Sequence, residues 1–519
     1  MVDSQWGQPD HLQTVRLVLD ELQGLHQQPN EPDKDASCAR SDASGLAARR
    51  QLRRIAVQLK RNANPPNAHC QPSSNLSALS TLTRLCDQKF VTYSYASIPK
   101  IWRAVYVDAQ LLKACYALES RFDTDTDEAE LLRICIRDID LALIVAGAAS
   151  MSKNGHCHNL ISALQCRLLE LDTERHHRLD RPFIDRGPPR KRVRVMLSEP
   201  SEPTFESFAQ AELDIQEYSF DQAPSFMELA APDSEVRSKP FIVRRYAQGA
   251  GWSAVQSGVG DACQGSWSSM GHLLRVAGPA RVVPVEVGAD YSREDWGQDV
   301  MLWTDFLQRC HWDQPVLPSE KSERGHDRSE LRHPVLYMAQ HDLSSQFPAL
   351  ERDYSLPDYV YISPPPPKDW PDYRAPVTPD GVSTNLWIGP AGTVSPPHYD
   401  PYYNCFVQAV GYKEVWVAPP HFCPSNTFID SGEASTNHEL NTSLSTEESS
   451  ARLQDSITGN LMTNTARVDV FDPVELIPDR VRAAAARAIL QRGDLLYMPP
   501  GWWHSLRSLT RSFSVSMWF

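Results

Sequence analysis

The chain has no Cys-x-x-Cys pair; its 11 cysteines are scattered through 519 residues. That spacing suggests neither a thiolate zinc module nor a disulfide framework, and free thiols in a reducing compartment are expected. No apolar run approaches the length needed to span a bilayer. Met1 to Gln23 holds no apolar core behind a basic stretch, so no secretory signal is expected. Positive charge is also short: a net charge of −14 argues against wholesale nucleic-acid binding, and neither a nucleic-acid nor a membrane partner is expected. No zinc finger or reader motif is visible. What is plentiful is proline, 40 residues of it, which points to long extended connections. A chain of this length exceeds one ordinary core, so two domains and a linker are expected.

The first part reads as helix. Leu12, Val15, Leu19, Leu22 and Leu25 recur at helical spacing, and 46–59, 101–118, 128–148 and 160–171 show similar patterns. Pro65, Pro66 and the acidic run 123–127 break the pattern as turns. We expect a helical domain over residues 1–185, built of five to seven helices. His156-Cys157-His158 is a lone cluster, read as a loop beside a helix start rather than a metal site.

Residues 186–238 read as a linker, first basic and then acidic. Arg190-Lys191-Arg192 and Arg194 form a compact basic run, which fits a nuclear import signal, a contact with an acidic surface, or a plain solvated linker. A nuclear and/or cytoplasmic location follows. From Val195 to Val236 there are ten acidic residues and no Lys or Arg, the composition of a flexible linker.

After Lys239 the pattern turns to strands. The stretches 240–245, 281–287, 334–340, 385–388, 404–410, 414–418, 495–498 and 512–519 alternate or run apolar. Met270–Val276 reads as a short helix and Trp296–Cys310 as an amphipathic one. Residues 425–464 are rich in Ser and Thr and poor in large apolar groups, so they are expected to be a disordered insertion. Many short strands with few helices favour a double-sheet jelly roll of the cupin kind over 239–519. The fold class expected for the whole is α + β.

His398-Tyr399-Asp400 lies in the alternating stretch, and alternation points residues i and i+2 to one face. An imidazole and a carboxylate so placed can converge on one ion. His504, after Pro499-Pro500-Gly501, sits where a strand could pair beside them. Two His and one carboxylate leave part of a metal's coordination sphere open, the arrangement of non-haem Fe(II) oxygenases. Lys413 follows the turn at Gly411 and lies within an apolar run. Pointing inward, it would need an anion such as a dicarboxylate cosubstrate. Pointing outward, it would be an edge gatekeeper. Asn404 is placed to donate to a carboxylate or keto oxygen.

The segments 385–420 and 493–519 resemble the JmjC-domain oxygenases. The likeness runs from about Lys239 to Phe519 and includes Val283-Pro-Val-Glu286-Val-Gly288, Asp295-Trp296, Leu336-Tyr337-Met-Ala-Gln340-His341, Ile388-Gly-Pro-Ala-Gly-Thr393 and Ser512-Phe-Ser-Val-Ser-Met-Trp518. The resemblance implies Fe(II) held by His398, Asp400 and His504. It implies 2-oxoglutarate held by Tyr337, Ser395, Asn404 and Lys413, with dioxygen as cosubstrate. It also puts Glu286, Trp296 and Trp387 where a substrate side chain would enter. A carboxylate with aromatic faces suits a guanidinium, although the two Trp also fit plain core aromatics.

Four readings of function follow. One is a protein hydroxylase acting on arginine, and another is a histone methyl-lysine demethylase using the same iron chemistry. The substrate is expected to be a protein or peptide, with histone, ribosomal and chromatin proteins as candidates. A non-catalytic cupin-fold scaffold in chromatin regulation is a third reading, disfavoured by the complete ligand set. A metal-dependent peptidase is the fourth, disfavoured because no general-base carboxylate lies beside the site.

Overall fold

The computed structural model describes residues 11–24, 43–62, 72–93, 98–119, 128–146, 154–179, 205–256, 265–288, 296–314, 334–422, 464–466, 468–472 and 477–519. The basic run at 190–194 and nearly all of the 425–464 insertion lie outside them. Two compact units are present: Met1–Pro200 with Gly278–Val282, and Ser201–Ala277 with Val283–Phe519.

The first unit contains six helices among the described residues: α1 (His11–Gly24), α2 (Ala43–Asn62), α3 (Pro72–Thr92), α4 (Lys100–Glu119), α5 (Glu128–Val145) and α6 (Asn154–Leu179). Helix α4 is the hub and packs against the other five. Its sequence explains this, because Trp102, Val105, Tyr106, Val107, Ala109, Leu111, Leu112, Ala114, Cys115 and Tyr116 are all buried. A helix apolar on most of its circumference must be surrounded. The expected helices are present, and α3, whose Ser- and Thr-rich pattern is weak, is added to them. The His156-Cys157-His158 triplet lies inside α6, not in a loop, so a regular helix fixes its backbone.

The second unit has fourteen strands among the described residues. They are β1 (Leu213–Asp214), β2 (Gln216–Ser219), β3 (Phe241–Arg244), β4 (Val282–Val287), β5 (Gly297–Leu302), β6 (Leu336–His341), β7 (Ser383–Gly389), β8 (Val394–His398), β9 (Asn404–Val410), β10 (Lys413–Ala418), β11 (Ala486–Leu490), β12 (Leu495–Met498), β13 (Trp503–Ser508) and β14 (Ser512–Trp518). One sheet runs β1-β11-β10-β13-β8, and the larger runs β2-β3-β12-β9-β14-β7-β6-β4-β5. Side chains from both meet in a dry interior of Ile242, Phe406, Val415, Val417, Leu490, Leu496, Met498 and Leu506. This is the double-stranded β-helix of a cupin, a jelly roll closed around one cavity.

Period-two alternation sorts each strand. On β9, Asn404 and Phe406 face inward while Cys405 and Val407 join the outer core. On β10, Lys413 lines the cavity and Val415 the interior, whereas Trp416 packs outside. The turn between them needs Gly411: its φ is +79°, and a Cβ there would lie 2.0 Å from the Arg511 carbonyl oxygen.

Two expectations are corrected. The acidic stretch does not stay a linker: from residue 205 it belongs to the second unit, forms β1 and β2, and crosses the outer face of the smaller sheet. Its charged side chains do face water, which is why composition resembled a linker. What holds it is backbone pairing, with β1 parallel to β11 and β2 parallel to β3. Glu414, fully buried and pointing outward, accepts from Ser207 Oγ (2.8 Å), Phe208 N (2.5 Å) and Ala209 N (2.8 Å), and pairs with Arg507. The second correction concerns 296–310. Only Trp303–Arg309 is helical, burying Trp303, Phe306 and Leu307, while β5 precedes it as an edge strand. Edge pairing with β4 is a tertiary event that helical periodicity cannot report.

Glu414→Ala should strand three donors, that of Ala209 buried, and Arg507 together. We expect a loss on the order of 3 kcal/mol in urea denaturation. Chymotryptic cleavage near Phe208 should become faster under native conditions. Wild-type stability and cleavage in the variant would refute the role given to Glu414.

Candidate metal centre

Strand β8 runs antiparallel to β13, and the register sets His398 directly opposite His504. A bulge follows between His504 and Leu506, re-aiming the strand beside the site. The two rings lie 4.2 Å apart between centroids. Asp400 stands just past the end of β8, with Oδ2 3.6 Å from His504 Nε2. One ligand atom from each of the three residues lies within 4.8 Å of the others, and no other such cluster occurs among the described residues.

Both rings are oriented for ligation. His398 Nδ1 sits 2.8 Å from the Pro396 carbonyl oxygen, and His504 Nδ1 sits 3.0 Å from that of Trp502. A carbonyl only accepts, so each Nδ1 carries the proton and each Nε2 keeps its lone pair for the site. Burial, with the nearby His398, drives His504 well below the usual imidazole range, against the opposing bond to Trp502. Burial also raises the Asp400 carboxyl, while His398 and the nearby Trp518 indole oppose it. Two imidazoles that turn Nε2 to the site and a carboxylate whose burial is costly are what a divalent cation relieves. The donor set therefore fits a metal such as Fe(II), with one carboxylate, two imidazoles and an open side.

The open side faces a cavity lined by Tyr337, Trp387, Ser395, Asn404, Phe406, Lys413, Met498, Leu506 and Ser516 beside the three ligands. Lys413 points inward, not outward as an edge gatekeeper. Its ammonium is buried, donates to the Tyr337 hydroxyl at 3.1 Å, and has its pKa pushed down to about 7 by burial. Asn404 is fixed by Ser516, whose hydroxyl donates to Oδ1 at 3.0 Å, so the amide Nδ2 is left to donate. Ser516 was not singled out from sequence. Its signal was the alternation Ser512, Ser514, Ser516 in an otherwise apolar strand, since a small polar residue facing inward needs a partner.

Of the residues expected at the substrate entrance, Trp387 lines the cavity and packs against Tyr337 with ring centroids 5.9 Å apart. Glu286 and Trp296 do not line it. Glu286 is directly opposite Tyr337 across the β4–β6 pair, so its side chain leaves the same face of the sheet as Tyr337, one strand further out than the cavity lining. Burial raises its carboxyl, with the Trp296 indole opposing. That indole N–H is buried near Glu286 without full hydrogen-bond geometry, and the Trp387 indole N–H is also buried without a partner.

A jelly roll carrying two imidazoles and a carboxylate on adjacent strand ends defines the metal-binding cupins. Residues 233–519 match the family described as a cupin-like domain, and the chain belongs to that family. Within it the chain is of the JmjC type. It is 36% identical over 255 residues to Jumonji C domain-containing protein 5 of Drosophila melanogaster, covering 49% of this chain and 50% of that one. It is 28% identical over 428 residues to lysine-specific demethylase 8 of Danio rerio, covering 82% and 83%. To lysine-specific demethylase 8 of Xenopus tropicalis it is 31% identical over 258 residues, covering 50% and 45%. The chain thus spans about half the length of the fruit-fly and frog relatives.

Substituting His398 or Asp400 by Ala should weaken Co(II) binding, used as an air-stable probe, by at least about 100-fold in equilibrium titration. Wild-type affinity in either purified variant would remove that residue from the ligand set.

Proposed function

We propose that the chain is an Fe(II)- and 2-oxoglutarate-dependent oxygenase acting on a protein, and that it hydroxylates an arginine side chain. The observation that carries this reading is one cavity holding the open-sided His398, Asp400, His504 set and a buried, carboxylate-free Lys413. Such a cavity suits a dicarboxylate with one end at the metal and the other at the ammonium. When bound, the metal and 2-oxoglutarate supply, with dioxygen, the oxidising chemistry for a C–H bond.

The chain's own residues do the positioning. Lys413, Tyr337 and Ser395 offer donors to the distal carboxylate, and Asn404, held by Ser516, offers its amide toward the metal-proximal end. Phe406, Met498 and Leu506 wall the cavity with apolar surface that limits water.

An arginine substrate is supported by Glu286 and Trp387. A carboxylate raised by burial gains most from a planar cation, and an aromatic face adds stacking. The names of the fish and frog relatives favour a second reading, demethylation of methyl-lysine on a histone, with the same cofactor binding.

The deciding experiment is mass change of arginine-containing and methyl-lysine peptides with Fe(II), ascorbate, 2-oxoglutarate and oxygen. A gain of one oxygen on arginine supports hydroxylation, whereas methyl loss with formaldehyde release overturns it in favour of demethylation. No succinate with any peptide overturns the oxygenase reading.

Lys413 also gives a pH dependence. Binding needs the ammonium, and the ligand-free group titrates near 7. The dissociation constant for 2-oxoglutarate should be flat below about pH 6 and rise roughly tenfold per pH unit above 7. Lys413→Met should flatten the profile at weak affinity. A flat profile in the wild type would contradict this.

A further inference from the structure

Asp400 converges on the two imidazoles although the sheet no longer guides the chain there. β8 ends at His398, so the conformation of Tyr399 decides where the carboxylate points. Pro396 and Pro397 offer no N–H to a neighbour, which leaves the outer edge of β8 with carbonyls to satisfy.

A short piece of chain far along the sequence meets this need. Thr465 bridges His398 in antiparallel sense, and Ala466 N donates to the Pro397 carbonyl at 2.6 Å. Asn464 then takes both polar groups of Tyr399. Its carbonyl accepts from Tyr399 N at 3.2 Å, and its side-chain Nδ2 donates to the Tyr399 carbonyl at 3.2 Å. The amide is oriented by Thr465, whose hydroxyl lies 3.4 Å from Asn464 Oδ1. On the opposite flank, Gly501 N donates to the Asp400 carbonyl at 2.9 Å. The single residue between the ligands and the Asp400 carbonyl after it are thereby held by two segments, both remote in sequence.

We propose that Asn464 is a positioning residue for the metal centre, holding by two hydrogen bonds the Tyr399 peptide groups that join His398 to Asp400. The backbone bond survives any substitution, but the side-chain bond does not. Without it the Tyr399 carbonyl loses this donor, the peptide joining it to Asp400 is less restrained, and the carboxylate is less well held where it converges with the two imidazoles. Asn464 touches neither metal nor substrate, and its effect is confined to how well the ligand set is prearranged. This inference rests on the reading of His398, Asp400 and His504 as metal ligands.

The test is Co(II) titration of the full-length metal-free protein, with the visible ligand-field band as a second readout. Asn464→Ala removes the side-chain donor, and Asn464→Asp removes it while keeping the volume. Both should lower Co(II) affinity by about tenfold and alter the band shape, as loss of an orienting partner typically does. The melting temperature of the metal-free protein should stay within about 2 °C of wild type. An affinity change below about threefold in Asn464→Asp, or a loss that scales with a lower metal-free melting temperature, overturns the proposal. Failure of the wild type to bind Co(II) overturns the metal-centre reading itself, and measuring the wild type first keeps the two results apart.

Discussion

His398 faces His504 because β8 and β13 pair in one register, and the chemistry of the second unit depends on that pairing. A slip by one residue would turn every side chain of β8 to the other face and break the ligand set. The register is defended on several sides. β13 is itself clamped to β10 over six residue pairs, and β10 to β11 over five. Trp416 and Trp503 lock the outer face of the same sheet, while Val415, Val417 and Leu506 lock the inner one. The metal centre is thus the end of a stiff lever whose other parts are ordinary apolar packing.

The inner face has a second demand, which is to keep polar groups alive in a dry space. Adjacent residues of β10 show two answers. Glu414, pointing out, is surrounded by donors from the 205–209 strap and Arg507. Lys413, pointing in, has the Tyr337 hydroxyl and burial pushing its pKa down. The first is a satisfied structural charge, and the second is a charge held in reserve for a ligand. Interior polar groups away from the metal behave like the first: Gln408 is tied to Ser512, Ser514 and the Val410 carbonyl. The difference between these groups is what makes Lys413, and not its neighbour, the candidate for binding an anion.

Segments that look like connections carry much of the second unit's order. The 205–219 stretch adds a strand to each sheet, and 464–466 adds a bridge to the metal strand. Both do so through backbone hydrogen bonds, to which amino-acid composition is blind. This is why an acidic, proline-containing stretch could read as a linker and still be part of the jelly roll. The same blindness explains β11, whose Ala486-Arg-Ala-Ile-Leu490 shows weak alternation and is a strand because β10 and β1 flank it.

What the sequence determined by itself was local periodicity and the identity of the reactive groups. Alternation marked β9, β10, β12 and β14 nearly to the residue, helical spacing marked α1, α2, α4, α5 and α6, and the His-x-Asp triplet named two of three ligands. Tertiary structure alone decided three further matters. It set His504 opposite His398 across 106 positions of chain, turned Lys413 inward, and placed Glu286 beside Tyr337 on the same sheet face, one strand beyond the cavity lining. Each of these depends on strand pairing between residues distant in sequence. Such pairing is fixed by burial on both faces of a closed sheet, a quantity that no single stretch of residues contains.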